Sequence, residues 1–99
     1  MIVVIGGEAE ADLERIADHI AKDSPLRALS FVTELRERFE RLVEASNGVP
    51  LVPRYEHKGV RRRPHGAYLI FYRAGPETIE VIHIVHGAMN YEPILFPEG

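Results

Sequence analysis

Apolar side chains recur every three or four positions in the first half of the chain, and every second position over much of the rest. The first period is helical and the second belongs to strands. Ala9, Leu13, Ile16, Ala17 and Ile20 form a stripe that predicts a helix over Glu8–Lys22. Glu8, Glu10, Asp12 and Glu14 crowd its first turns, where the helix dipole favours acids. At Ser24-Pro25 the chain restarts: serine caps a helix and proline suits its first position. A second helix over Pro25–Ala45 carries Leu29, Val32, Leu35, Phe39 and Leu42, with Phe31 and Val43 widening the stripe. Asn47-Gly48-Val49-Pro50 is its stop signal. Only Asp23-Ser24 separates the two helices, so they are expected to fold back as an antiparallel pair.

Ile2–Ile5 reads as a short strand that needs a neighbour, and Val60–Arg63 as another. Gly66–Arg73 is aromatic and apolar, and Thr78–His86 is rich in β-branched residues. Ala74-Gly75-Pro76-Glu77 joins them, which predicts a central antiparallel hairpin. Period two puts Tyr68, Ile70 and Tyr72 on one face and Leu69, Phe71 and Arg73 on the other. Both faces are apolar; one must meet the helices, and the tyrosines mark the other, wetter one. Arg73 and Glu80 can pair across the hairpin if the register brings them together. The apolar run Ile94-Leu95-Phe96 is expected to dock on the sheet or at a partner interface. Together these elements predict one α+β domain over residues 1–99, with an N-terminal strand and an antiparallel helical hairpin packed on a small antiparallel sheet.

Charge sharpens the picture. The net charge of the 99 residues is −3, which argues against bulk nucleic-acid binding, but residues 54–73 hold six basic side chains and one acid. The densest part is Lys58-Gly59-Val60-Arg61-Arg62-Arg63. Such a segment can steer an acidic partner or a phosphate backbone. The absence of cysteine removes disulfides, thiol nucleophiles and thiolate metal sites, and fits a reducing compartment. No signal peptide or membrane span is legible, so the cytoplasm is the expected location.

Candidate chemistry is sparse. Of the five histidines, His83 and His86 stand three apart on a strand and are expected on opposite faces, too poor a geometry for a shared metal. No metal and no cofactor is expected. Arg61, Arg63 and Arg73 can clamp a scissile phosphate with His65, His86 or Tyr91 as proton handlers. Almost any basic sheet offers that set, so it is weakly specific.

The order of these segments carries a resemblance. It runs through Ala9–Ile20 (AEADLERIADHI), Ser24-Pro25, Phe31-Val32 with Leu35 and Phe39, Gly59-Val60-Arg61, Gly66–Arg73 (GAYLIFYR) and His86-Gly87-Ala88. The chain resembles the ParE branch of the RelE/ParE toxin superfamily over nearly its whole length. The resemblance implies the toxin of a type II toxin–antitoxin pair, non-catalytic, silenced by a ParD-like antitoxin and directed at DNA gyrase. DNA would be reached only through the antitoxin, in a heterotetramer or larger complex. An mRNA endonuclease of RelE type, or an attenuated toxin serving autoregulation, is the alternative. The family's usual His-Gly-Ala-Arg-Asp reads His86-Gly87-Ala88-Met89-Asn90 here, and a methionine holds no phosphate, which weighs against RNA cleavage.

With that resemblance, Arg61, Arg63, Arg73, His86, Met89, Tyr91 and Phe96 are the expected target contacts. Leu13, Ile16, Ile20, Leu29, Val32, Leu35, Phe39, Arg61, Tyr68 and Tyr72 are the expected antitoxin contacts.

Overall fold

A computed structural model describes residues 2–45 and 48–99, the side chains of 43–45 excepted. The Asn47 stop signal and the Val43 edge of the stripe lie outside that description. Strand β1 (Ile2–Ile5) leads into helices α1 (Gly7–Ala21) and α2 (Pro25–Ala45). A short 3₁₀ turn, Glu56–Lys58, precedes β2 (Arg61–His65), β3 (Tyr68–Ala74), β4 (Thr78–His86) and a final turn of helix, α3 (Glu92–Leu95).

The local signals act as chemistry requires. The Arg27 amide donates to Ser24 Oγ at 3.2 Å, so serine caps α2. Gly6 precedes α1 because the chain passes hard against β4 there. Its amide donates to the Val81 carbonyl at 2.9 Å, and a Cβ at Gly6 would lie 3.1 Å from that oxygen. Gly66 turns β2 into β3 at φ 59°.

The four strands lie in the order β1-β4-β3-β2. The β3–β4 hairpin is central, as expected, and its register sets Arg73 opposite Glu80. The sheet is mixed rather than antiparallel, because β1 runs parallel to β4, with Ile2 opposite Thr78 and Ile5 opposite Val81. No hairpin ties these two strands; the intervening helices let β1 approach in either direction, and parallel neighbours need such a long connection.

Helices α1 and α2 cover one face of the sheet. Their stripes supply Ala9, Leu13, Ile16, Phe31, Leu35, Phe39 and Leu42 to a core completed by Ile70, Tyr72, Ile79, Val81 and Ile84. The stripe of α2 is centred on Phe31 rather than Leu29, which is 67% exposed. Two residues from Phe31 is about 200° around a helix, so burying one exposes the other. The tyrosine face is therefore the helix face, and Tyr72 is fully buried in it. The expectation that tyrosines mark the wetter side fails because the Tyr72 ring is mostly apolar surface and dominates its packing.

The second face carries its own smaller core. Val52, Val60, Phe71, Val85 and Phe96 pack with Tyr55, Leu69, Ile82, Tyr91 and Leu95. The segment before β2 and the C-terminal tail thus act as a lid on the sheet. Tyr55 stacks on Phe96 with ring centroids 4.3 Å apart, and Arg54 pairs with Glu92.

A bulge in β4 breaks its alternation. Tyr72 faces Val81 while Phe71 faces His83, which leaves Ile82 as the extra residue. Val81 and Ile84, three apart, both reach the helix-side core as a result.

Candidate functional site

Strand β2 is an edge strand that distributes its arginines by simple alternation. Arg61 and Arg63 stand opposite Tyr72 and Ile70, on the helix side; Arg62 stands opposite Phe71, on the lid side. Arg61 Nη1 donates to the Val49 carbonyl, which half-buries it. Arg62 Nη1 donates to Tyr91 Oη at 3.0 Å, and its guanidinium lies 5.9 Å from the centre of that ring. Arg73 Nε donates to the Lys58 carbonyl at 3.1 Å from an exposed position. Three arginines and Pro64 also blunt this edge against casual strand pairing.

His65 ends β2 near Glu34, Glu37, Arg38 and Arg41 of α2. Burial, followed by Arg38, holds its imidazole below the ordinary histidine value. Burial also raises the Tyr72 phenol, against the pull of Arg61 and Arg63.

The phosphate-clamp set is not assembled. Arg61, Arg63 and His65 share the helix side of β2, whereas Tyr91 sits on the opposite face with its hydroxyl taken by Arg62. Arg73 and His86 lie at opposite ends of the hairpin, opposite Glu80 and Tyr68 respectively. At about 3.3 Å per residue that separation is roughly 17–20 Å.

The other expected target contacts divide. Met89 is exposed rather than tucked under the tail, and His86 is exposed with its ring edge-on to Tyr68. Tyr91 is half-buried against Phe71 at 4.9 Å. Phe96 is 8% exposed and belongs to the lid core, so it is no free contact.

Of the expected antitoxin contacts, Leu13, Ile16, Leu35, Phe39 and Tyr72 are buried in the chain's own core. That burial leaves them little surface to offer a partner. Ile20, Val32 and Tyr68 are half-buried and Leu29 is exposed. Sequence reasoning missed Leu26, 81% exposed and one turn before Leu29–Ser30 on α2. Two free leucines at the start of a helix are an apolar patch that water solvates poorly.

Two polar features were also missed. Arg62 lies within a basic run, but alternation alone separates it from its neighbours. Asp12, one of the four acids in the first turns of α1, is only 5% exposed. Its Oδ2 lies 2.7 Å from His83 Nδ1 and accepts the Ile84 amide at 2.9 Å, while Oδ1 accepts from Arg15 at 2.8 Å. Its place three after Ala9 and four before Ile16 was the available signal. The register sets His83 opposite Phe71 and His86 opposite Tyr68, so the two imidazoles take opposite faces as expected, although His83 still reaches Asp12 of α1. No group of three or more metal-ligating side chains occurs among the described residues.

The sequence profile of the ParE toxin of the type II toxin–antitoxin system parDE matches residues 3–91. The chain belongs to the ParE toxin family. A solved structure titled as the chromosomal ParDE TA system from P. aeruginosa is similar, with a TM-score of 0.71 and 25% identity. The match covers 87% of this chain and 95% of that one. No curated protein gives a significant match. The RelE/ParE-like arrangement of strand, helical hairpin and small sheet is therefore shared with ParE toxins, with the lid and the arginine-edged β2 added to that description. No described helix is long and apolar enough to cross a membrane.

Proposed function

We propose that this ParE-family chain is a cytoplasmic toxin that inhibits DNA gyrase by protein–protein contact and is held silent by a ParD-like antitoxin. The observation that carries the reading is the family match over residues 3–91. Action by contact suits a surface whose arginines are spread over two faces and two ends, and it follows from membership of the ParE branch. Arg63 and Arg73, with His86 and Met89, are the accessible part of the proposed target surface. Leu26, Leu29, Val32 and Tyr68 offer the apolar part of the proposed antitoxin surface, where a segment that folds on binding gains most. The antitoxin would carry any DNA contact, in a heterotetramer or larger complex.

The deciding assay adds the purified chain to gyrase and relaxed plasmid. Supercoiling is expected to stop and to resume when antitoxin is supplied. Normal supercoiling together with new RNA ends on translating ribosomes overturns the proposal in favour of an endonuclease.

The arginine edge makes a second, separable prediction. Arg61→Ala with Arg63→Ala is expected to weaken antitoxin binding about tenfold at low salt and by less at high salt, as screening removes the attraction. Affinity that is the same as wild type at both salt concentrations shows that β2 plays no part in holding acidic antitoxin residues.

A further inference from the structure

We propose that the groove between α1 and the end of β4 is a docking site for a partner peptide in which an aliphatic or aromatic side chain stands beside a carboxylate. This goes beyond the arginine edge, which lies on the other margin of the sheet, and rests only on the reading that the chain is gripped by other proteins. The groove has a volume of about 330 Å³, enough for one large side chain and its neighbour. Tyr68, Ile84, Met89 and Ile94 supply its apolar lining. Met89 and Ile94 are 55% and 36% exposed, although large apolar groups gathered in one concavity are ordinarily covered.

The polar groups decide what covers them. Asp12 is the one acid in the lining, and both its oxygens are occupied, by Arg15, His83 and the Ile84 amide. It has little left to offer an incoming cation. Two of the remaining polar side chains, Arg15 and His86, offer donors. Arg15 uses one nitrogen on Asp12 and is 66% exposed, with further N–H groups to give. His86 Nδ1 accepts the Ala88 amide at 3.1 Å, so the neutral ring carries its proton on Nε2. His19 completes the rim. An apolar floor beside the free N–H groups of Arg15 and the His86 Nε2 donor, with its one acid already occupied, complements an apolar side chain flanked by an acid.

The chain contains two methionines, and labelling their methyl groups with ¹³C makes Met89 a reporter in the groove, its signal assigned by comparison with Met89→Leu. Titration with 3-phenylpropanoate is expected to move the Met89 signal saturably. The uncharged analogue 3-phenylpropanamide is expected to bind at least fivefold more weakly. Arg15→Ala with His86→Ala should bring the carboxylate down to the level of the amide; Arg15→Ala alone, at an exposed position, should lose part of the preference in a folded chain. A Met89 signal that does not move overturns the site, and equal binding of acid and amide overturns its chemistry. Either result leaves gyrase inhibition untouched, so failure here and failure of the functional reading are told apart by the supercoiling assay.

Discussion

Asp12→Ala is expected to cost the fold about 2–6 kcal/mol, because two buried donors lose their acceptor. The carboxylate is the acceptor for three donors that come from two elements. Arg15 is on α1, whereas His83 and the Ile84 amide are on β4, immediately after the bulge. Deleting it strands an amide and an imidazole in a site with little water, and each unmade bond costs about 1–3 kcal/mol. Domains of this size have about 5–15 kcal/mol in hand, so the variant should be partly unfolded near body temperature. Arg15→Ala removes only the exposed partner and should cost under about 1 kcal/mol. Urea unfolding of the two variants measures both. A midpoint for Asp12→Ala within experimental error of that for Arg15→Ala would show that the α1–β4 junction is held by apolar packing alone.

Phe39→Ala and Leu29→Ala should part company, though both side chains belong to the same apolar series in the sequence. Phe39 is 1% exposed, and truncating a buried phenylalanine costs about 3–5 kcal/mol through lost transfer energy and the cavity left behind. Antitoxin binding by that variant should fall only as far as the folded population falls. Leu29 has little packing to lose, so its stability should change by less than about 0.5 kcal/mol. Its antitoxin affinity should nonetheless drop about tenfold or more, since a free leucine at the tip of the hairpin is an anchor a partner can bury. Chemical denaturation and calorimetric titration on both variants give the four numbers. Unchanged affinity for Leu29→Ala removes the start of α2 from the proposed interface.

The comparison also explains what the amino-acid pattern could and could not convey. The Pro25 start of α2 and both ends of β4 were legible because Ser24-Pro25, the β-branched run and His86-Gly87 are local signals. The centre of the α2 stripe was not, because Leu29-Val32 and Ala28-Phe31 satisfy the same three-residue spacing, and only docking onto the sheet chooses between them. The bulge at Ile82 was invisible: no glycine or proline marks it, and an isoleucine among valines and isoleucines looks like its neighbours. Everything beyond it inherits the slip, including the sides taken by His83 and His86. Asp12 hid among four acids at the start of α1, three of which do face solvent. For the binding surface, residue type was readable and availability was not. Tyr72 and Phe96 have the right chemistry for a partner but are spent on the two cores.

The parallel pairing of β1 with β4 has a consequence for how the chain comes off the ribosome. Ile2 must find Thr78, so β1 waits until β4 has been made, and the long closure slows sheet formation. Until translation has passed His86, the nascent segment has two amphipathic helices and no completed platform beneath them. A product stalled before His86 is therefore unable to adopt the finished shape.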